Sequence, residues 1–498
     1  MATLAIPAQT SWLPTRMMIG GRLVEGAGQP VVVRNPSSGE ITTKFAGASI
    51  EQVLAAIKAA RAVADKGDWA AMPMKARVAI VRDLLARFAA RIDDLRALIV
   101  TETGMPVNSF ALDAQIGAPL RQMDAMLDLC LKLPEIEENP ITLDERVNPM
   151  GGFVQSIRRF VPVGVVAAIS AYNFPLHINL WKILPALATG NAVILRPSPL
   201  TPLSALALAE IAAEAGLPEG VLSVIAEAGA EGAQLLTIDP AVNMVSFTGS
   251  TEVGSIVAGQ AAPSMKRLQL ELGGKSAQIY LPDRVEAAFS AAIGVCLAHA
   301  GQGCVLGTRI FVPEADKAKV LAAMKASMAY AKIGDSTDPE TTMGPVISEA
   351  QVGRCERYVR LAVEAGATVV SGGKRADRPG YFFEPTILDV PDNKNPSAQD
   401  EIFGPVVSVI GYRDVEHAIE MANDSPLGLS GYVYGKDARA ALDVAKRIRT
   451  GTVNVNAFFA SAYSSSGGVK MSGIGRERGV EGIRAFHDVQ VMNLGSAS

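Results

Sequence analysis

FVPVGVVAAISAYNFPLHINLWKILPALATGNAVILRPSPLTPLSALALAEIAAEAG, residues 160–216, decides the fold class, because its apolar residues switch repeatedly between two periods. FVPVGVVAAIS reads as a strand, LHINLWKILPALATG as a helix ending at Gly190, NAVILRP as a strand, and TPLSALALAEIAAEAG as a helix closed by Gly216. VLSVIA, a short helix, VNMVSFTG and STEVGSIVAGQ continue the rhythm. Strands alternating with helices predict a parallel, doubly wound sheet.

Upstream, VRDLLARFAARIDDLRALIV repeats its apolar residues at helical spacing, so residues 51–103 read as helices packed on that sheet. Downstream of Gly273, a second alternation runs from AQIYL to TVNVN near Val455 and predicts a second α/β lobe. Two segments follow neither rhythm. VNPMGGFVQSIRRF, residues 147–160, reads as a hairpin around Pro149 to Gly152, and HDVQVMNLG near the C-terminus reads as a lone strand. Pairing across subunits and an ordinary local sheet fit these two segments equally well.

The chain has 498 residues, more than one growing core accommodates, and 46 basic against 50 acidic side chains give a net charge of -4. No Lys/Arg block follows a phosphate backbone, so nucleic acid is not an expected partner. The 4 cysteines, Cys130, Cys296, Cys304 and Cys355, show no CxxC spacing and read as reduced thiols of a cytoplasmic protein. No apolar run approaches the length of a membrane span, and the first residues lack a basic start followed by an apolar run, so no membrane partner and no export are expected. With 4 histidines and no HExxH pairing, no metal site is expected.

AGQGCVLGT, residues 300–308, sets Cys304 among glycines, where backbone and ligand can approach closely. That suits a nucleophilic thiol, although a free cysteine is commonly just a small buried hydrophobe. In LQLELGGKS, residues 268–276, Glu271 closes a strand before two glycines. A P-loop would need glycine where Gln269 stands, so the carboxylate reads as a general base or as a salt-bridged surface Glu. FTGSTEVG, residues 247–254, runs a strand into a helix through Gly249, Ser250 and Thr251, an anion site or simply a Ser-capped helix. It carries no GxGxxG. In ISAYNFP, residues 169–175, Asn173 can donate to an oxyanion or serve as turn chemistry. ILRPSPLTP puts Arg196 and Ser198 at the sheet's edge.

In this order, PVGVVAAISAYNFP, ILRPSPLTP, FTGSTEVG, LELGGKS, GQGCVLGTR, EIFGPVVSV and GGVKMSGIGRERG resemble the NAD(P)-dependent aldehyde dehydrogenase superfamily over nearly the whole chain. The resemblance implies an aldehyde dehydrogenase-like α/β fold of two doubly wound lobes plus an oligomerisation hairpin. Residues 1–139 and 161–271 would form the cofactor-binding domain, 272–470 the catalytic domain, and 140–160 with 484–498 the oligomerisation segments of a homodimer or homotetramer.

It further implies that Cys304 attacks the aldehyde, that Asn173 and the Cys304 N–H hold the oxyanion, and that Glu271 activates water to hydrolyse the thioester. Lys182 and Glu477 match proton-transfer positions. Glu401 and Phe403 match positions at the nicotinamide and its ribose, and Ser250 and Tyr172 positions near the pyrophosphate. Ser170, Ala171, Ser198, Gly229, Thr248, Gly249, Glu271 and Leu272 fall on other cofactor positions. NAD and NADP both remain open, because Arg196-Pro197-Ser198-Pro199 stands where Lys-Pro-Ser-Glu is usual. Losing the Glu removes repulsion against a 2′-phosphate, and Arg196 is expected to be able to pair with one.

Phe174, Trp181, Val305, Phe458, Phe459 and Tyr463 are the expected substrate lining, aromatic and uncharged, which points to an apolar or aromatic aldehyde. The rival within the superfamily, a CoA-acylating enzyme, generally lacks the glutamate present here as Glu271. A cysteine acyl transferase without a nicotinamide cofactor leaves EIFGP and FTGST unexplained. A catalytically silent relative would usually have lost the nucleophile.

Overall fold

Residues 160–170 form two strands rather than the single one expected. In the computed structural model, which describes residues 11–147 and 152–495, β1 (Val154–Pro162) ends before Gly164, and β2 (Val165–Ile169) begins in a different sheet. Pro162 cannot extend a ladder as a donor, and Gly164 sits at φ +115°, a conformation closed to other residues. The apolar pattern runs straight through this break, which is why periodicity alone misses it.

From β2 onward the expected alternation holds. α1 (Pro175–Ala188), β3 (Ala192–Arg196), α2 (Leu203–Glu214), β4 (Leu222–Val224), α3 (Glu231–Ile238), β5 (Met244–Thr248), α4 (Thr251–Ala261) and β6 (Arg267–Glu271) follow in turn. Pro175 opens α1 with a preset φ, and Gly190 and Gly216, at φ +94° and +68°, turn the chain out of α1 and α2.

These strands pair in parallel in the order β4–β3–β2–β5–β6. Strand order therefore reverses between β2 and β5, the switch point at which a doubly wound sheet leaves a crevice at its carboxyl ends. Short antiparallel strands at 17–19 and 473–474 extend the two sides, and 22–24 lies beyond the first. Every residue of β2 and β3 is buried, as expected of a parallel sheet covered on both faces.

The helices expected over 51–103 are Ile50–Lys66, Met74–Ala90 and Ile92–Thr103, with a single turn, Asp68–Ala71, between the first two. The first starts on a reciprocal cap, in which Ser49 accepts from the Gln52 N–H and Gln52 accepts from Ser49.

The second lobe is a seven-stranded sheet ordered 368–371, 386–390, 406–412, 309–313, 277–280, 430–434 and 452–455, parallel except for its first strand. One apolar core extends from Met17 to Leu272 and takes back Ala462, Ile483 and Phe486, while a second extends from Ala277 to Ile448. The chain passes from the first core to the second through Gly273–Ser276 and returns to the first before Ala462.

β7 (His487–Gly495) is not a lone strand: it pairs antiparallel with β1 from His487 opposite Pro162 to Gly495 opposite Val154. Ile136–Glu138 pairs on the other side of β1. Val147 bridges to Phe153, while Asn148 to Gly151, most of the expected turn, lie outside the described residues. No helix among the described residues is long and apolar enough to cross a membrane.

Candidate active site

Cys304 sits in an irregular loop held by its neighbours. Gln302 accepts from Ile347 N at 2.9 Å and donates to His299 O at 3.2 Å, and Tyr432 Oη donates to the Val305 carbonyl at 2.8 Å. A Cβ at Gly274 would stand 2.1 Å from the Cys304 carbonyl oxygen, so the glycine of LGGKS is what lets the two lobes meet at the thiol. Asn173, buried just beyond β2, donates from Nδ2 to the Gln302 carbonyl at 3.0 Å. Two motifs 129 residues apart are thereby joined, leaving one further N–H on the Asn173 amide.

Cys304 remains half-buried. Its thiol is pushed up to about 12, first by burial and then by the carboxylates of Glu401 and Glu271. The lowered pKa expected of a nucleophilic cysteine is absent: Arg478 acts on the Cys304 charge, but burial and the two carboxylates outweigh it.

Glu271 ends β6, its carbonyl accepting from Gly249 N at 3.1 Å. Its Oε1 is buried without a hydrogen-bond partner. Gly467 provides its room, since a Cβ there would come within 2.8 Å of that oxygen. Burial, then the negative charge of Glu477, hold the Glu271 carboxyl well above the usual range, against the opposing pull of Lys182. Lys182 is fully buried and donates to Glu477 Oε1 at 2.9 Å and Ser246 Oγ at 3.0 Å. Ser246 in turn donates to Gln269 at 2.7 Å. Lys182 and Glu477 are thus paired, and the charges of both act on the Glu271 carboxyl.

At the carboxyl ends of the switch strands, Ser170 Oγ and Thr248 Oγ1 are buried without partners. Ala171 and Tyr172 follow Ser170, and the Tyr172 ring meets Phe403 edge-on at 5.9 Å. Ser250 caps α4, its hydroxyl accepting from Val253 N at 3.2 Å, which still leaves the O–H as a donor. Leu272 packs where a Cβ at Gly254 would lie 2.4 Å from it.

Glu401 accepts from Gly274 N at 2.8 Å, and burial raises its carboxyl to about 7. Phe403 takes φ +61°, rare for an aromatic residue, and Gln351 donates to its carbonyl at 2.8 Å.

Arg196 does not stand free for a phosphate, contrary to the expectation. Its Nε donates to Glu227 Oε1 at 2.8 Å and its Nη2 to the Gly229 carbonyl at 2.5 Å. Ser198 accepts from Leu200 N at 3.3 Å in the turn through Pro199.

A charge lies against one of the residues expected to line the substrate. Trp181 is buried, and the Arg478 guanidinium lies 4.9 Å from the centre of its ring and 2.6 Å from His177 Nε2. His177 is pushed down to about 3 by burial and by Arg478, and so accepts as a neutral imidazole. Phe174 meets His177 and His299 edge-on at 6.4 and 5.8 Å. Val305 is half-buried beside Cys304, and Phe458, Phe459 and Tyr463 are exposed by 59, 67 and 53%. Arg478 and His177 were missed, although the second arginine of GRERG, next to Glu477, was a visible signal.

The sequence profile of the aldehyde dehydrogenase family matches residues 23–492. The chain is 35% identical to a geranial dehydrogenase of Castellaniella defragrans over 91% of this chain and 93% of that one. Among solved structures it resembles an aldehyde dehydrogenase of Mycobacterium tuberculosis complexed with NAD+ (38% identity, TM-score 0.90, 96% and 97% covered). It also resembles a betaine aldehyde dehydrogenase of Staphylococcus aureus complexed with NAD+ (33%, 0.92, 98% and 96%). A thiol, an amide donor and a carboxyl meet at the join of two doubly wound lobes, on a chain matched nearly end to end: it belongs to the aldehyde dehydrogenase family.

Proposed function

We propose that the chain oxidises an aldehyde to its carboxylic acid through a thioester on Cys304. The observation that carries this reading is the meeting of the Cys304 loop with Asn173, in a site where the Glu271 carboxyl keeps an oxygen free. The Cys304 thiol gives its proton to the Glu271 carboxylate, which passes it on towards Glu477, and the sulfur attacks the aldehyde carbon, so that the carbonyl oxygen takes the charge of a thiohemiacetal. The remaining Asn173 N–H and the Cys304 backbone N–H are the donors for that oxyanion. The nicotinamide dinucleotide, held by Glu401 and Phe403, would supply the hydride acceptor, and loss of hydride from this carbon leaves Cys304 carrying a thioester. Glu271, deprotonated, then takes a proton from the attacking water, and the acid leaves as the Cys304 thiol is restored. Lys182 and Glu477, 2.9 Å apart, would carry that proton onward.

The crevice fits the dinucleotide. The unpartnered hydroxyls of Ser170 and Thr248 offer donors at the switch point, where phosphates lie. Glu401 and Phe403 would hold the nicotinamide half, and Ser198, Pro199 and Gly229 the adenosine half. The NAD+ bound by the two solved relatives supports this reading.

For the substrate we infer an apolar or aromatic aldehyde. The aromatic mouth and the likeness to a geranial dehydrogenase support it. The test is stopped-flow absorbance of reduced cofactor with one aliphatic and one aromatic aldehyde and no CoA. The intact protein should turn over, and Cys304→Ala should give no signal. Glu271→Gln should give a slower burst of about one equivalent followed by turnover slowed about 10²- to 10⁴-fold. Turnover that needs CoA would sink the hydrolytic reading.

A further inference from the structure

Arg196 ends β3, the strand next to the switch strand β2, and Glu227 lies just beyond β4. In a doubly wound sheet, the side chain at this strand end reads the adenosine ribose: an acid accepts from a 2′-hydroxyl, and an arginine accommodates a 2′-phosphate. This chain places an arginine there, yet its guanidinium is committed to Glu227 Oε1 and to the Gly229 carbonyl. Both side chains are more than nine-tenths buried.

Glu227 is itself held from the other side. Its Oε2 accepts from Gly232 N at 2.7 Å and its Oε1 from Ala233 N at 2.9 Å. Those are first-turn N–H groups of α3, the place where a helix would present donors to an external anion. The protein's own carboxylate fills it. Three donors on a group with about four acceptor directions leave one position open. A ribose hydroxyl can donate to it, whereas a phosphate would meet that negative charge beside an arginine whose own charge Glu227 already offsets.

We propose that Glu227 makes this chain select NAD over NADP, by tying down Arg196 and occupying the anion position at the start of α3. The inference rests on the dinucleotide reading above and narrows it. It reverses what the motif ILRPSPLTP suggests in isolation: the acid missing at Pro199 is replaced by one from the next strand.

The test is equilibrium binding without aldehyde, by calorimetry, on the full chain. The probes are 5′-AMP against adenosine 2′,5′-bisphosphate, which differ only in the 2′-phosphate, and NAD against NADP. The wild type should bind the unphosphorylated member of each pair about tenfold or more tightly, the scale of a charge-assisted contact. Glu227→Gln should close that gap by tightening the phosphorylated member, with the gain lost as salt is raised. Should that variant not fold, Arg196→Leu decides, since an arginine already committed elsewhere can be removed without weakening NADP further. Equal affinity within each pair for the wild type, an unchanged gap in folded Glu227→Gln, or loss of NADP binding in Arg196→Leu would overturn the inference while NAD still binds. A wild type that binds none of the four nucleotides would overturn the dinucleotide reading and this inference together.

Discussion

Glu271 and Glu477 share one buried ammonium, Lys182, and that imbalance sets the behaviour of the site. A base must be deprotonated to act, so deacylation should fade as pH falls through the raised Glu271 value. Because the charge of Glu477 helps raise it, Glu477→Gln should move this acid limb to lower pH, whatever it does to the maximal rate. Single-turnover thioester hydrolysis across pH measures the limb, and a shift to higher pH would contradict the assignment. Cys304, Asn173 and Glu271 were legible as residues, since each lies in a short motif with its own local logic. Arg478 beside His177 and Glu227 on Arg196 were not, because those contacts join positions 301 and 31 residues apart.

At the scale of elements, α2 begins without a side-chain cap of its own, and Glu102, from the end of the helix 92–103, supplies one. Its carboxyl accepts from Leu203 N at 2.7 Å and Ser204 N at 3.1 Å in a fully buried position. Burial raises it from 4.5 to about 7. The folded state then binds more protons than the unfolded one, so this group's contribution is full below pH 4.5 and falls as pH rises towards 7. Glu102→Gln, which does not titrate, should lack that slope. The stability difference between wild type and variant, from urea unfolding, should shrink by up to about 3 kcal/mol between pH 5 and pH 8. A constant difference would show the carboxyl ionised throughout. Helix periods and their glycine stops were readable in the sequence. The break between β1 and β2 was not, because it changes sheets without changing the apolar pattern.

At the scale of the whole molecule, β7, β1 and Ile136–Glu138 form a three-stranded sheet whose β7 edge has no further strand among the described residues. Val489 and Val491, two residues apart on β7, are 58% and 56% exposed. We propose that this sheet bridges subunits of a homodimer or homotetramer, since a long exposed apolar edge strand is costly in a monomer. Val489→Glu with Val491→Glu should convert the wild-type oligomer to a smaller species by light scattering, with unchanged circular dichroism. A wild type that is monomeric at micromolar concentration would refute it.

The sequence by itself determined the alternation that makes two doubly wound lobes, the helix stops, and the motifs that carry the thiol, the amide and the carboxyl. These are local properties, set by side-chain period, backbone preference and nearby residues. Only the tertiary structure decided which charges meet: that Arg196 is neutralised by Glu227, that Arg478 lies over Trp181, and that β7 pairs with β1. Such pairings depend on which strand ends and loops the fold brings together, and burial makes each of them count far more than the same charges would in water.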